Sequence, residues 1–425
     1  MNIQQLLDAF PCTCGHDHRC AIQRVEIGRG AIGALRELCR GANTVLLLSD
    51  KNTFAAAGAQ ALSALEGKEI LSVTFPGSAL VVPDEQAVAA MEPHLSRADA
   101  IVAIGAGVMQ DLGKYGAALQ HIPCHVVATA PSMDGYASTG AAMIMGGMKV
   151  TYSVPVPTSI LADTAVLKDA PMELIRAGYG DIVGKFSALN DWKLSHAVKG
   201  EYFCQKVYDL MAQALQKTLA LADGLVRRDE EAVGALMEAL VLAGIAMAFA
   251  GTSRPASGSE HHLSHYFEIT GLLEGKPYFP HGIDVAYSTV ITAKIRQKLL
   301  SAPFPREAVP FDRADWEANM RRVYSTAADG CIALQDKVGH YDTDRMAAYL
   351  GKEEELRAIL AEVPAPEEIE AMLRAVGLDM EEFYRLYDEQ KLRDAVLYAK
   401  DLKDRYTVLW MYWDLLRSNK PSGLV

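Results

Sequence analysis

AIVAIGAGVMQDLGKYGAALQ, from Ala100 to Gln120, is the stretch that decides the fold. It opens on an apolar run, Ala100–Ile104, passes through the glycine-bearing GAGVMQD of Gly105–Asp111, and continues with helical spacing over Val108–Gln120. A short apolar strand, a glycine turn and a helix in that order make half of a parallel crossover unit. The flanking sequence repeats the unit. TVLLLSD, Thr44–Asp50, is a second apolar run, followed by an alanine-rich helical segment to about Leu65. Ile70–Phe75 and His125–Ala128 read as further strands, and Asp84–Arg97 as the helix between two of them. Continuous apolar strands alternating with helices pair in parallel through right-handed crossovers, which predicts a doubly wound α/β layer. Sheets of this kind bind ligands beyond the carboxyl ends of their strands.

Two loops fall at such ends. In GAGVMQD the glycines allow close backbone approach to a pyrophosphate, and the helix start favours its charge. Gln110 breaks the full G-x-G-x-x-G pattern, so a plain tight turn is the competing reading of Gly105–Asp111. TAPSMDGYAS, Thr129–Ser138, gathers hydroxyls, an acid and a glycine after the next strand, and a polar turn is its alternative. Asp50 ends an earlier strand, where an acid bonds the ribose hydroxyls of a dinucleotide or simply caps the following helix. Lys51 beside it accommodates a 2′-phosphate, which leaves NAD and NADP both open.

From about Gly180 the pattern turns to helix after helix, and the boundary falls near Asp163–Gly180. Within this half, SGSEHHLSHYFEITGLLEGKPYFPHGIDVAY, Ser257–Tyr287, carries four of the eleven histidines. If Ser259–Phe267 is helical, His261 and His265 share one face and His262 points elsewhere. His281 follows in FPHGID, where a turn before the glycine brings its imidazole back to that face. Clustered imidazoles of this kind suit zinc, nickel or ferrous iron. The zincin motif H-E-x-x-H needs a glutamate where this chain has His262, so the base that a peptidase reading needs is missing and the pattern speaks against one. Asp181, after Gly180, is either a cap at a helix start or the oxygen ligand of a metal site.

The totals bound the remainder. The chain has 425 residues, half of them apolar and 22% charged, enough for two globular domains. A net charge of −12 argues against a general nucleic-acid or anionic-membrane binder. Ala239–Gly251 is too short to span a bilayer and reads as a buried helix, so no membrane insertion is expected. Met1–Phe10 lacks the pattern of a signal peptide. Seven cysteines fit thiols in a reducing compartment, and a cytoplasmic location is expected. Near the amino end CTCGHDHRC packs Cys12, Cys14, His16, His18 and Cys20 together, in a spacing that matches no common zinc finger.

Taken together and in order, GAGVMQD, TAPSMDGYAS, GDIVGK with the downstream DWKL, SGSEHHLSH and HGIDVA resemble the glycerol-1-phosphate dehydrogenase family. That family is related to glycerol dehydrogenase and, more distantly, to dehydroquinate synthase. The likeness covers about residues 22–290, and the cysteine-rich start and long region after about Ala302 resemble its longer bacterial form. It implies an α/β plus all-α chain, with an amino-terminal Rossmann-like parallel-sheet domain, a carboxyl-terminal helical domain and the active site in the cleft between them. The expected divisions are a Cys/His-rich segment over residues 1–21, a dinucleotide-binding domain over 22–175 and a helical metal- and substrate-binding domain over 176–425.

Carried onto this sequence, the resemblance implies one divalent metal, zinc or nickel with iron as the further option, held by Asp181, His261 and His281. Asp134 and His265 would contact substrate, with Asp181 beside them, as the catalytic set. Gly105, Ala106, Gly107, Val108 and Met109 would hold NAD or NADP with Thr129, Ala130, Pro131, Ser132 and Ser138, and Asp50 and Asp111 flank that group. Ala106 stands where the family has glycine or serine, a small departure. The implied reaction is reversible reduction of dihydroxyacetone phosphate to sn-glycerol 1-phosphate, a precursor of glycerophospholipids. His265, one turn from a ligand, is the candidate to pass on the proton, and Lys185 and Arg254 are the nominated phosphate contacts. The alternatives are a polyol dehydrogenase acting on an unphosphorylated substrate and a dehydroquinate-synthase-like cyclase, against which Asp181 in place of glutamate speaks. A metal hydrolase that binds no nucleotide is the most remote. A homodimer is the default assembly.

Overall fold

The structure is a computed structural model that describes residues 3–8, 12–78, 81–146, 148–307 and 309–417. Within the Cys/His-rich segment 1–21, residues 1–2 and 9–11 therefore lie outside the described part.

Among the described residues eight strands are formed: β1 (Arg24–Ile27), β2 (Thr44–Asp50), β3 (Glu69–Phe75), β4 (Ala100–Gly105), β5 (Cys124–Ala128), β6 (Gly140–Met145), β7 (Met148–Ser153) and β8 (Ser159–Ala162). Six of them make one parallel sheet in the order β1-β8-β5-β4-β2-β3, while β6 and β7 form a separate antiparallel pair. Pairing of Leu46 with Ile101 and of Ile104 with Val127 sets the central register. All residues of β4 and β5 are buried, as strands covered on both faces must be. The edge strand β3 instead alternates, with Leu71 and Val73 buried and Glu69, Ser72 and Thr74 exposed. On one face, Val45, Leu47, Val102, Ile104 and Val127 pack with Ala57, Ala61 and Leu65 from the helix Lys51–Ala64 and the residue after it.

The chain divides into two compact units, and the division departs from a single cut after residue 175. One unit takes the chain up to Ile182 together with Gln213–Thr252, and the other takes Val183–Ala212 with the chain from Ser253 onward. The reason lies in the helix Glu230–Ala250, which is apolar on nearly every face. Such a helix needs neighbours all round. It finds them in the first unit, on the short helix Thr164–Leu167 and the 3₁₀ turn Asp134–Ala137, with Glu230 accepting a 3.0 Å hydrogen bond from the Thr164 hydroxyl. Among the described residues it is the one helix long and apolar enough to cross a bilayer, and 83% of its most apolar window is buried inside the protein.

The second unit is helical. Its centre is the helix pair Ser259–Glu274 and His281–Ser301, with Lys185–Lys199 and Val408–Leu416 packed on it. Trp192, Tyr266, Trp316, Tyr324 and Trp410 are fully buried in this unit. An α/β sheet domain joined to a helical one is the architecture expected from the sequence.

Candidate active site

In the first unit, β3 and β4 lie on opposite sides of β2, so the sheet changes winding direction there. The carboxyl ends of β2 and β4 therefore border the crevice where doubly wound sheets take ligands. Asp50 ends β2 and Gly105 ends β4. Immediately beyond, the helix Gly107–Gln120 starts from Ala106 with no side-chain cap on its first amides, which leaves their donors to an anion. A Cβ added at Gly105 would come 2.5 Å from Met109 Cγ, and one at Gly107 would come 3.2 Å from Met133 Cε. Gly105 and Gly107 are thus places where Met109 and Met133 pack too closely on the loop for a side chain to be added without displacing them.

Thr129–Ser132, after β5, is buried beside it, and the Thr129 amide donates to the Gly105 carbonyl at 3.2 Å. The loop closes on itself where the Tyr136 hydroxyl donates to the Ala130 carbonyl at 2.5 Å. Asp50 acts as a cap: its Oδ1 accepts from the amides of Asn52 and Thr53 at 2.7 and 2.9 Å, and Thr53 Oγ1 accepts from its own amide. Asp111 has local duties too, accepting from the Ala142 amide at 3.2 Å and pairing with the buried Lys114 at 3.1 Å. Ser138 donates to the Gly135 carbonyl at 2.9 Å.

Asp181 is fully buried and lies in the last turn of the helix Met172–Val183, not at a helix start. Its Oδ2 accepts from the Asp134 amide at 2.9 Å, so the two acids of the implied site are fixed to one another. Gly178, one turn before it, serves packing. A Cβ at Gly178 would sit 1.9 Å from the Pro131 carbonyl oxygen, so the cofactor-side loop rests directly on this helix.

In the second unit the histidines gather as the spacing predicts. Ring centroids are 5.1 Å apart for His261 and His281, 5.4 Å for His265 and His281, and 6.2 Å for His261 and His265. His281 is not in a turn: it is the first residue of the helix His281–Ser301, which starts from Pro280. Ser264 Oγ lies 3.3 Å from His281 Nδ1. His262 points into the interior with neither ring nitrogen hydrogen-bonded among the described residues. Burial, then the charges of Lys403, Arg405 and Arg254, hold its pKa well below the ordinary imidazole value.

The supports of this cluster were not visible in the sequence. Glu260, fully buried, reaches His261 Nδ1 at 2.7 Å and accepts from the Gly258 amide at 2.8 Å. Asp191, from the DWKL motif, accepts from the Ser259 amide at 2.6 Å and pairs with the buried Arg296 at 2.8 Å, which anchors the start of the histidine helix. Gly258 has no room for a side chain there, since a Cβ would come 2.7 Å from the Ala188 Cα. Both residues nominated for the phosphate have protein partners. Arg254 bonds Glu201 Oε1 and the Tyr406 carbonyl at 2.7 Å each, and Lys185 donates to the Ala256 carbonyl at 2.8 Å. Arg405 is less committed, with one bond to the Ser257 carbonyl at 3.2 Å among those resolved, and burial followed by the Arg254 charge pushes its pKa down to about 10.

Comparison with known proteins finds relatives along nearly the whole chain. The family model for iron-containing alcohol dehydrogenase matches residues 26–171. The glycerol-1-phosphate dehydrogenase [NAD(P)+] of Geobacillus stearothermophilus is 32% identical over 424 residues, 96% of each chain. Its counterpart from Halalkalibacterium halodurans is 29% identical over 419 residues, 97% of each chain. Among solved structures, sulfoacetaldehyde reductase from Bifidobacterium kashiwanohense in complex with NAD+ superposes with a TM-score of 0.62 at 15% identity, covering 94% of this chain and 97% of that one. At that identity the likeness shows the fold alone.

Proposed function

Because this chain belongs to the glycerol-1-phosphate dehydrogenase family and is an NAD(P)-linked dehydrogenase, we propose that it reduces dihydroxyacetone phosphate reversibly to sn-glycerol 1-phosphate with one bound divalent metal. The observation that carries this reading is the cluster of His261, His265 and His281, with His261 held by Glu260. Asp181, His261 and His281 are the ligands we assign, offering one carboxylate oxygen and two ring nitrogens. That donor set suits zinc, nickel or iron. When bound, the metal supplies Lewis acidity at the C2 oxygen and the nicotinamide supplies hydride.

The chain's own residues do the rest. A carboxylate at Nδ1 fixes the ring of His261 and leaves Nε2 to the metal. Asp134, tied through its amide to Asp181, orients the substrate hydroxyls. His265 passes the proton that the C2 oxygen needs, directly or through a hydroxyl. The amides that begin the helix Gly107–Gln120 take the pyrophosphate, with Thr129–Ser132 and Ser138 along the dinucleotide. Asp50 retains one carboxylate oxygen for a ribose hydroxyl beyond its cap. Arg405, bonded to the Ser257 carbonyl just before the histidine helix, is the cation we assign to the phosphoryl group of the substrate.

The test is NADH and NADPH oxidation by metal-reconstituted protein, with dihydroxyacetone phosphate and dihydroxyacetone side by side. A strong preference for the phosphate ester is expected. Equal or reversed preference would instead identify a polyol dehydrogenase. His261→Ala is expected to abolish turnover while dinucleotide binding stays within a few fold.

A further inference from the structure

The amino-terminal Cys/His segment has no part in the chemistry above, yet it is built like a binding site. Residues 12–23 form no helix or strand, and the Gln23 amide joins the end of this stretch to the Thr158 carbonyl at 2.9 Å. Gly15, at φ +87°, turns the chain just after Cys14. Across that turn Cys14 Sγ and His18 Nε2 stand 3.2 Å apart, and the donor atoms of Cys12, Cys14 and His18 all lie within 4.8 Å of one another.

The state of His18 is defined by its other nitrogen. Nδ1 is 3.0 Å from the Phe249 carbonyl oxygen, and the imidazole, 1% exposed, tilts against the Phe249 ring. A carbonyl only accepts, so Nδ1 carries the proton and Nε2 presents its lone pair toward the thiols. A ring oriented by a backbone carbonyl at one nitrogen, with the other directed at the ligand position, is the usual outer support of a metal-bound histidine. His16 is exposed and Cys20 is not in this group.

We propose that Cys12, Cys14 and His18 bind a second divalent ion of the zinc class, which pins the amino-terminal segment to the helix Glu230–Ala250. Two sulfurs and an imidazole are softer than an Asp-His-His set, so this site selects zinc over harder ions. On binding, the two thiols each release a proton and the imidazole enters neutral. The role is structural: the ion replaces the apolar burial that this polar segment cannot supply.

The test uses the full chain loaded with zinc and, separately, with cobalt. Zinc-edge X-ray absorption of the unaltered protein is expected to contain sulfur at about 2.3 Å, the ordinary zinc–thiolate distance. An Asp-His-His site contains no sulfur, so this readout is independent of the active site. Cobalt loading is expected to give a thiolate-to-metal charge-transfer band that survives His261→Ala and disappears in Cys14→Ser, with one ion fewer per chain in the latter. A zinc shell of nitrogen and oxygen only, or a band retained in Cys12→Ser/Cys14→Ser, overturns the proposal. The absorption measurement needs no variant, so it decides the matter even where a mutant misfolds.

Discussion

Glu260 Oε1 lies 2.7 Å from His261 Nδ1, and both side chains are almost wholly buried. A residue and its neighbour in sequence thus form a carboxylate–imidazole couple of the kind that would fix His261 in the metal-binding role we propose for it. For Glu260→Gln we expect metal affinity to fall roughly 10–100-fold, the usual cost of losing such a partner. Equilibrium competition with a chelator measures this directly, and excess metal is expected to restore most of kcat. Unchanged metal affinity would remove Glu260 from the role.

Gly178 meets the Pro131 carbonyl at a distance that no Cβ tolerates. Gly178→Ala must therefore displace the Pro131 loop or the helix that carries Asp181. Overpacking of this kind costs about 1–3 kcal/mol. Because this is the loop we assign to the dinucleotide, KM for NADH is expected to rise along with the drop in melting temperature. A variant that melts and binds like the parent would contradict the packing described.

These two examples also mark how far the sequence could be read. Strands β2, β4 and β5 announce themselves because parallel strands covered on both faces are continuous apolar runs. By contrast β1, RVEI, and β8, SILA, are four residues each and offer too little pattern to detect. The glycines before Asp181 read as a helix start, because spacing cannot distinguish a breaker from a close approach. His281 read as a turn residue for a similar reason, since Pro280 and Gly282 suggest a loop although proline before a helix is equally a start signal. Which acid meets which ring nitrogen is a matter of side-chain direction, and Glu260 looked like any acid in a first helical turn. The pairing of His261 with His265 on one helix face was legible, because i and i+4 spacing needs only a helix.

Burial, followed by the nearby Arg254 charge, pushes the pKa of Arg405 down to about 10, and its guanidinium donates to the Ser257 carbonyl at 3.2 Å. For Arg405→Gln we expect KM for dihydroxyacetone phosphate to rise about 10- to 100-fold, the worth of one or two charged hydrogen bonds. Turnover of unphosphorylated dihydroxyacetone should not change. Steady-state kinetics on both substrates decide it, and equal losses on the two would place the phosphate elsewhere.

His125 is buried in β5, 2.9 Å from Ser159 Oγ, and burial lowers its pKa to about 4 from an ordinary 6.5. The folded chain holds it neutral, whereas the unfolded chain takes up a proton below about pH 6.5. Its contribution is therefore complete above pH 6.5 and is lost as the pH falls toward 4, by about 3 kcal/mol. Urea unfolding at pH 7 and pH 4.5 is expected to show this loss in the parent protein and a smaller one in His125→Asn. An identical pH response in the two would exclude His125 as the titrating group.

The interleaving of the two units has a consequence during synthesis. Every strand of the parallel sheet has been translated by Ile182, but the apolar helix Glu230–Ala250 that belongs to the same unit has not. At roughly 5–20 residues per second, the ribosome needs several seconds more to deliver it. Over that interval Ala137, Val166 and Leu167 wait without their partner, in a nascent chain whose next segment belongs to the other unit. The amino-terminal unit cannot finish folding in the order in which it is made, and its assembly in the cell depends on whatever shields that surface until Ala250 emerges.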